Sequence, residues 1–155
     1  MATGIYLKIT GETQGEIAGS VEQVGREETT EVLSFGHGIS ANVDFGSGRT
    51  IGKRTHAPIS LSCKVGKATP LYLQALTNNE RLSAVKIDFY HTDRAGMEVL
   101  FYSIELENAT FADISMSSDG GGSFDVASYS LAYQKIIWTW ADGNVTTEDD
   151  WLTPT

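Results

Sequence analysis

The residues whose types could do chemistry are few, and their spacing decides what they can do. Gly46-Ser47-Gly48-Arg49-Thr50-Ile51-Gly52-Lys53 looks at first like a phosphate-cradling loop. A Walker loop, however, needs glycine at position 47 and Ser or Thr where Arg54 stands, and it must open a helix, whereas Pro58 and a strand pattern follow here. Cys63 with His56 or His91 would make a thiol nucleophile and its base. Cys63 shares the alternating face of Ile59 and Leu61, though, which predicts a packed, inert thiol. His37, His56 and His91 fall in different segments without metal-ligand spacing and read as surface or loop histidines. Glu105 and Glu107 share one strand face, and paired carboxylates on the polar side of a sheet are usually solvated rather than glycosidic. Asn108-Ala109-Thr110 and Asn144-Val145-Thr146 match a glycosylation pattern that carries weight only in the secretory pathway. The expectation is a protein that is not an enzyme, with no catalytic residues, no cofactor and no metal site.

Charge is more informative. Twenty acidic against eleven basic residues give a net charge of −9, which opposes nucleic acid and acidic lipid surfaces as partners. The charges are segregated: Glu12 to Glu31 carries six glutamates and one arginine, Asp142 to Asp150 four acids and no base, and Phe45 to Asn79 five bases and no acid. Within the basic segment, Gly46 to His56 is glycine-bearing and long enough to leave a sheet and touch another molecule. Gly46, Gly48, Arg49, Gly52, Lys53, Arg54 and His56 are therefore the candidate interface residues, and acidic segments elsewhere favour head-to-tail contacts between copies.

The elements that must position this loop are mostly strands. Period-two alternation marks Ile5 to Ile9, Glu31 to Ile39, Ile59 to Cys63, Ala84 to His91 and Phe101 to Glu107. It also marks Ala109 to Met116, with a bulge near Asp113, and Phe124 to Trp140, where Tyr129, Leu131 and Tyr133 line one face. A helix from about Pro70 to Asn78 is predicted, capped by Thr69, with Tyr72, Ala75 and Leu76 on its buried face. Glycine-rich loops fall at Gly46 to Gly52 and at Ser117 to Ser123. The pattern predicts one domain over residues 1–155, a mainly β two-sheet barrel or sandwich with one short flanking α-helix, and an acidic tail from about residue 142. No run approaches the roughly 18 apolar residues of a membrane span, and Met1-Ala2-Thr3-Gly4 lacks the flank of an export signal. One cysteine allows no internal disulfide.

Four words in register carry a resemblance: Ile5-Tyr6-Leu7-Lys8-Ile9 with Gly11, Glu31-Val32-Leu33-Ser34-Phe35, Ala68-Thr69-Pro70-Leu71, and Tyr129 through Trp138. Over Ala2 to about Gly143 the chain resembles the haemolysin-coregulated protein (Hcp) of bacterial type VI secretion systems. It departs from that family where His37 replaces a frequent Trp, at Gly15-Glu16-Ile17 where Gly-Glu-Ser is usual, and at Phe124-Asp125 where Pro precedes the acid. The resemblance implies a barrel that assembles as a homohexameric ring. Rings would stack into a hollow tube, similar to a phage tail tube, driven by a contractile sheath behind a spike and carrying effector proteins. It implies cytoplasmic synthesis and export without a signal peptide. It also places Gly46 to His56 as an extended loop reaching a neighbouring subunit or ring, where Arg49, Lys53 and Arg54 would meet acids among Glu12 to Glu31 or Asp142 to Asp150. Two alternatives remain open: a monomeric β-barrel ligand-binding module, and a tail-tube subunit of a phage-like particle.

Overall fold

In a computed structural model, which describes residues 3–22, 26–118, 120 and 125–150, the alternating segments close into a barrel. Its strands are β1 (Thr3–Gly11), β2 (Gly15–Ile17), β3 (Thr30–Gly36), β4 (Ile39–Ser40), β5 (Val43–Asp44), β6 (Arg49–Thr50), β7 (Thr55–His56) and β8 (Ile59–Lys64). After helix α1 (Thr69–Thr77) come β9 (Leu82–Thr92), β10 (Glu98–Ser117), β11 (Val126–Ala132), β12 (Lys135–Trp140) and β13 (Val145–Asp150). The main sheet runs β11-β8-β3-β1-β9-β10-β12-β13, and a further β10–β11 pairing closes it on itself. The expected mainly β, two-sheet architecture with one short flanking helix is what the described residues adopt.

Closure depends on β10, whose length lets it serve two sheets. Its first half pairs with β9 and β12, and its second half pairs with β11. Sequence periodicity divides this strand into Phe101 to Glu107 and Ala109 to Met116, but the chain passes through Asn108 in a left-handed conformation (φ 53°) and continues as one strand. Asparagine tolerates that geometry better than most residues, so the ladder kinks without ending. The bulge expected near Asp113 is present as a register shift between Phe111 and Asp113. The opposite error occurs at Phe124 to Trp140: Phe124 lies outside the described residues, and the rest divides into β11 and β12 at Tyr133-Gln134. The acidic tail also acquires structure, since β13 pairs antiparallel with β12 from Trp140↔Val145 to Lys135↔Asp150.

Inward-facing residues of these strands form one apolar cluster, including Leu7, Ile9, Ile59, Leu61, Val85, Ile87, Leu106, Leu131 and Ile136. Cys63 is fully buried among them, and burial pushes its thiol up to about 12, which removes the nucleophile as the alternation of β8 predicts. Helix α1 covers the cluster through Tyr72 and Ala75, with Leu76 partly buried beside them. Thr69 is not its cap. Ala68 occupies that position, and the Thr69 hydroxyl turns inward, accepting from the Gly66 N–H (3.0 Å) and from the Tyr129 hydroxyl (3.4 Å).

Beyond the helix, Glu80 fastens the β1–β2 turn. Its carboxylate is buried and accepts from the Thr13 N–H (3.0 Å), the Gln14 N–H (2.9 Å) and the Gln14 side-chain amide (3.1 Å). Burial alone would raise its pKa, but the bonds from Gln14 and Thr13 hold it below the usual carboxylate range. Glu80→Ala is expected to cost about 2 kcal/mol, because two turn N–H groups lose their acceptor. An unfolding free energy from urea denaturation lowered by that amount checks it. A folded pKa below the unfolded one means this contribution is complete at neutral pH and disappears as pH falls through the folded value.

Candidate functional site

Residues Ile39 to His56 leave the barrel as a narrow two-stranded arm. At its root β4 pairs with β7, Ile39 opposite His56, and the Ala57 N–H donates to the Gly38 carbonyl (2.9 Å). Further out β5 pairs with β6, Val43 opposite Thr50. The tip is a turn fixed by Asp44, whose carboxylate accepts from the Gly46 N–H (3.0 Å) and the Ser47 hydroxyl (2.9 Å), while its carbonyl accepts from the Gly48 N–H (2.7 Å). Gly48 (φ 73°) and Gly52 (φ 74°) adopt the left-handed conformation that lets the chain reverse and return. Asn42 braces the two legs, its amide donating to the Lys53 carbonyl (2.8 Å).

What this arm presents is apolar as well as basic. Phe45 at the turn is 96% exposed and Ile51 57%, and together with Val43 they border a shallow hollow lined by Ala41, Asn42 and Gly52. A fully exposed phenylalanine held on a hydrogen-bonded turn leaves much of its roughly 2 kcal/mol burial free energy available to a contact with another molecule. Arg49 and Lys53 flank it and form no ion pair among the described residues.

Of the seven candidate interface residues, Gly46, Gly48, Arg49, Gly52 and Lys53 lie along the exposed arm, whereas Arg54 and His56 lie at its root. Arg54 finds its acid within its own chain. The guanidinium donates Nε–H to Asp149 Oδ2 (2.7 Å), Nη2–H to Asp149 Oδ1 (2.7 Å) and again to the Asp150 carbonyl (3.0 Å). These bonds raise the Arg54 pKa and depress that of Asp149. Arg54 thus meets the acidic segment at 142–150 within its own chain, through β13.

His56 is a correction, since it is 5% exposed rather than a surface histidine. Its Nε2 lies 2.6 Å from Asp149 Oδ2, and its Nδ1 lies 2.7 Å from the Tyr133 hydroxyl. His37, half-buried, reaches the same hydroxyl with Nε2 at 2.6 Å. The third histidine, His91, sits in β9 with its ring 4.9 Å from that of Phe101. Glu105 and Glu107 are exposed, as expected for the polar side of the sheet. No motif spacing marks His37, Tyr133 and Asp149, and only the excess of complementary charge in two distant segments hints at the last. Phe45 is not among the expected interface residues, although an apolar residue beside a glycine turn is a signal that points to it.

Similarity to known proteins follows the whole chain. The family described as "Type VI secretion system effector, Hcp" matches residues 6–140. The "Major exported protein" of Pseudomonas aeruginosa is 34% identical over 169 aligned positions, covering 99% of this chain and 98% of that protein. Among solved structures, one described as "Crystal structure of Hcp protein" superposes with a TM-score of 0.89 at 28% identity, covering 97% of this chain and 100% of that one. "Secreted protein Hcp3 from Pseudomonas aeruginosa" gives 0.80 at 33% identity, covering 97% and 99%.

Proposed function

Since this chain belongs to the Hcp family of type VI secretion proteins, we propose that it is a tube subunit, one domain over 1–155 whose copies close into hexameric rings that stack around a hollow lumen. The observation that carries this is the arm: it holds Phe45 and Ile51 in water on a braced hairpin, an arrangement that a solitary barrel has no use for. An arm on one part of the surface and a receiving face on another make a heterologous contact, which propagates into a ring or a stack. Arg49 and Lys53 set register against acidic segments of a neighbour. Each such exposed pair contributes at most about 1 kcal/mol, so cohesion rests on the apolar contact and on strand edges. Gly46, Gly48 and Gly52 shape the tip, and Arg54 and His56 fix the root from which it projects.

The same function makes sheath and spike proteins partners at the outside and end of the tube, and effector proteins its passengers. The protein would be made in the cytoplasm and leave through the apparatus with its cargo, acting by assembly and not by catalysis.

Phe45→Glu tests the assignment. Burying a carboxylate where the ring should go removes about 2 kcal/mol or more per contact, roughly a thirtyfold loss in each association step. Sedimentation velocity should then show rings for the natural chain and a folded monomer for the variant at the same concentration. Identical sedimentation of the two would remove the arm from assembly. A natural chain that stays monomeric throughout would favour the ligand-binding module instead.

A further inference from the structure

The chain enters and leaves the arm at one end of the β3–β8 ladder, where Phe35 pairs with Leu61 and Gly36 with Ser60. At the other end of that ladder, past the pairing of Val32 with Cys63, lies a cavity of about 350 Å³. Its walls come from β1, the segment before β3, the end of β8 and the start of α1. Tyr6, Val21, Val65 and Ala68 contribute apolar surface to it. Three hydroxyls in the lining are already engaged. Thr30 shares its bond with Tyr72 (2.8 Å), Thr69 accepts from the Gly66 N–H (3.0 Å), and Ser20 accepts from the Lys67 N–H (3.1 Å). Such an interior suits an apolar occupant better than a polar one.

Backbone, rather than movable side chains, sets these walls. The Gly19 N–H donates to the Glu28 carbonyl (2.6 Å), and the Glu28 N–H donates to the Val21 carbonyl (2.8 Å). A Cβ on Gly19 would overlap the Thr29 carbonyl, and one on Gly66 would fall 2.8 Å from Ser20 Oγ, so both positions need glycine for the approach they make. Around the mouth and in an adjoining hollow, Glu22, Glu27, Glu28 and Glu31 are exposed, against Lys64 and Lys67. The rim therefore carries an excess of negative charge.

The arm offers the converse of this surface. Phe45 projects into water from a turn whose Asp44 carboxylate is engaged, and Arg49 and Lys53 follow on the returning leg. We propose that the cavity receives the Phe45 ring of a second copy, with that copy's Arg49 and Lys53 against the acidic rim. The proposal rests on the tube assignment and names the receiving face that such a tube requires. Lining, volume and charge each fit the occupant, and so does placement. The arm's root and the cavity are separated by the length of β3, about 20 Å for its seven residues. A copy displaced along the ladder thus brings its arm to the cavity while leaving its own cavity for another arm. Each copy gives one ring and takes one, a heterologous contact in which the site is completed only by the neighbour.

Photocrosslinking in the full-length chain tests it. A benzoylphenylalanine in place of Phe45 keeps an aromatic group at the tip. Irradiating a mixture of isotope-labelled and unlabelled protein, followed by mass spectrometry, shows which residues of a different copy it reaches. Most cross-links should join labelled to unlabelled chain within residues 20–22, 30–31 and 64–69. Val21→Trp, which fills the cavity, should lower that yield at least about tenfold. Glu22→Arg, an exposed change that leaves the core untouched, should weaken association about threefold at low salt and much less at high salt. Cross-links concentrated on another face or within one chain, while electron microscopy still shows annuli, would overturn the cavity and leave the tube assignment standing. An undiminished yield in a folded Val21→Trp would do the same; if that variant does not fold, the cross-link map and Glu22→Arg decide. A chain that stays monomeric at every concentration would remove both.

Discussion

Replacing Asp149 with Ala is expected to lower unfolding stability by about 2 to 3 kcal/mol and to release the arm from the barrel at neutral pH. The size follows from His56, whose side chain is fully buried and loses the carboxylate that lies 2.6 Å from its Nε2. Arg54 loses two bonds at the same time but is better placed to turn outward, so Arg54→Ala should cost less than Asp149→Ala. Asp149→Asn, which keeps the shape and one acceptor, should fall between wild type and Ala. Urea denaturation gives the order, and amide hydrogen exchange at Ile39 and Ala57 reports the arm. A loss below about 0.5 kcal/mol for Asp149→Ala would mean that the cluster is ornamental to stability. The carboxyl's depressed pKa also fixes the acid side of the profile: its stabilisation is complete above the ordinary carboxylate value and vanishes as pH drops through the folded one.

Tyr72→Ala should be the most damaging single change in the barrel, at about 4 kcal/mol. Tyr72 is fully buried on α1, its ring edge-on to Tyr129 at 5.4 Å and tilted against Phe111 at 5.4 Å. Its hydroxyl shares a 2.8 Å hydrogen bond with Thr30 at the start of β3. Removing the ring leaves a cavity between helix and sheet that a nine-residue helix, too short to hold its form alone, cannot close. Tyr72→Phe keeps the ring and forfeits the bond, for about 1 kcal/mol. If the two variants cost the same, the Thr30 bond and not the packing docks the helix.

Much of this fold is legible in the sequence because a half-buried strand announces itself in adjacent residues. Ile59, Leu61 and Cys63 alternate in sequence and in burial, and Val85 and Ile87 do likewise in β9. Boundaries are harder where no glycine or proline marks them. Tyr133 continues the inward set of Tyr129 and Leu131, so periodicity runs through a break at which only the backbone changes course. Asn108 does the reverse, its type suggesting a stop where the strand merely kinks. Thr69 has the right residue type for a cap, but the buried Tyr129 hydroxyl and the Gly66 amide compete for its oxygen and win.

The candidate site divides along the same line. A glycine-bearing basic loop is a local property, and its residues form the arm. The root is not local: Arg54 and Asp149 stand 95 positions apart and His37 and Tyr133 96. Single residues at such separations show no period or spacing, and their meeting depends on how β12 carries β13 back past the arm. Isolated histidines in a sequence are more often solvent-facing than part of a buried series, and here that general expectation fails for His56 because Tyr133 and Asp149 satisfy both of its nitrogens.

Electron microscopy of the purified chain, with native mass spectrometry of the same sample across a broad concentration range, tests most directly whether the exposed arm exists to join copies. The account predicts annuli of six subunits, lost in Phe45→Glu. A single species of 16.8 kDa at every concentration would contradict it.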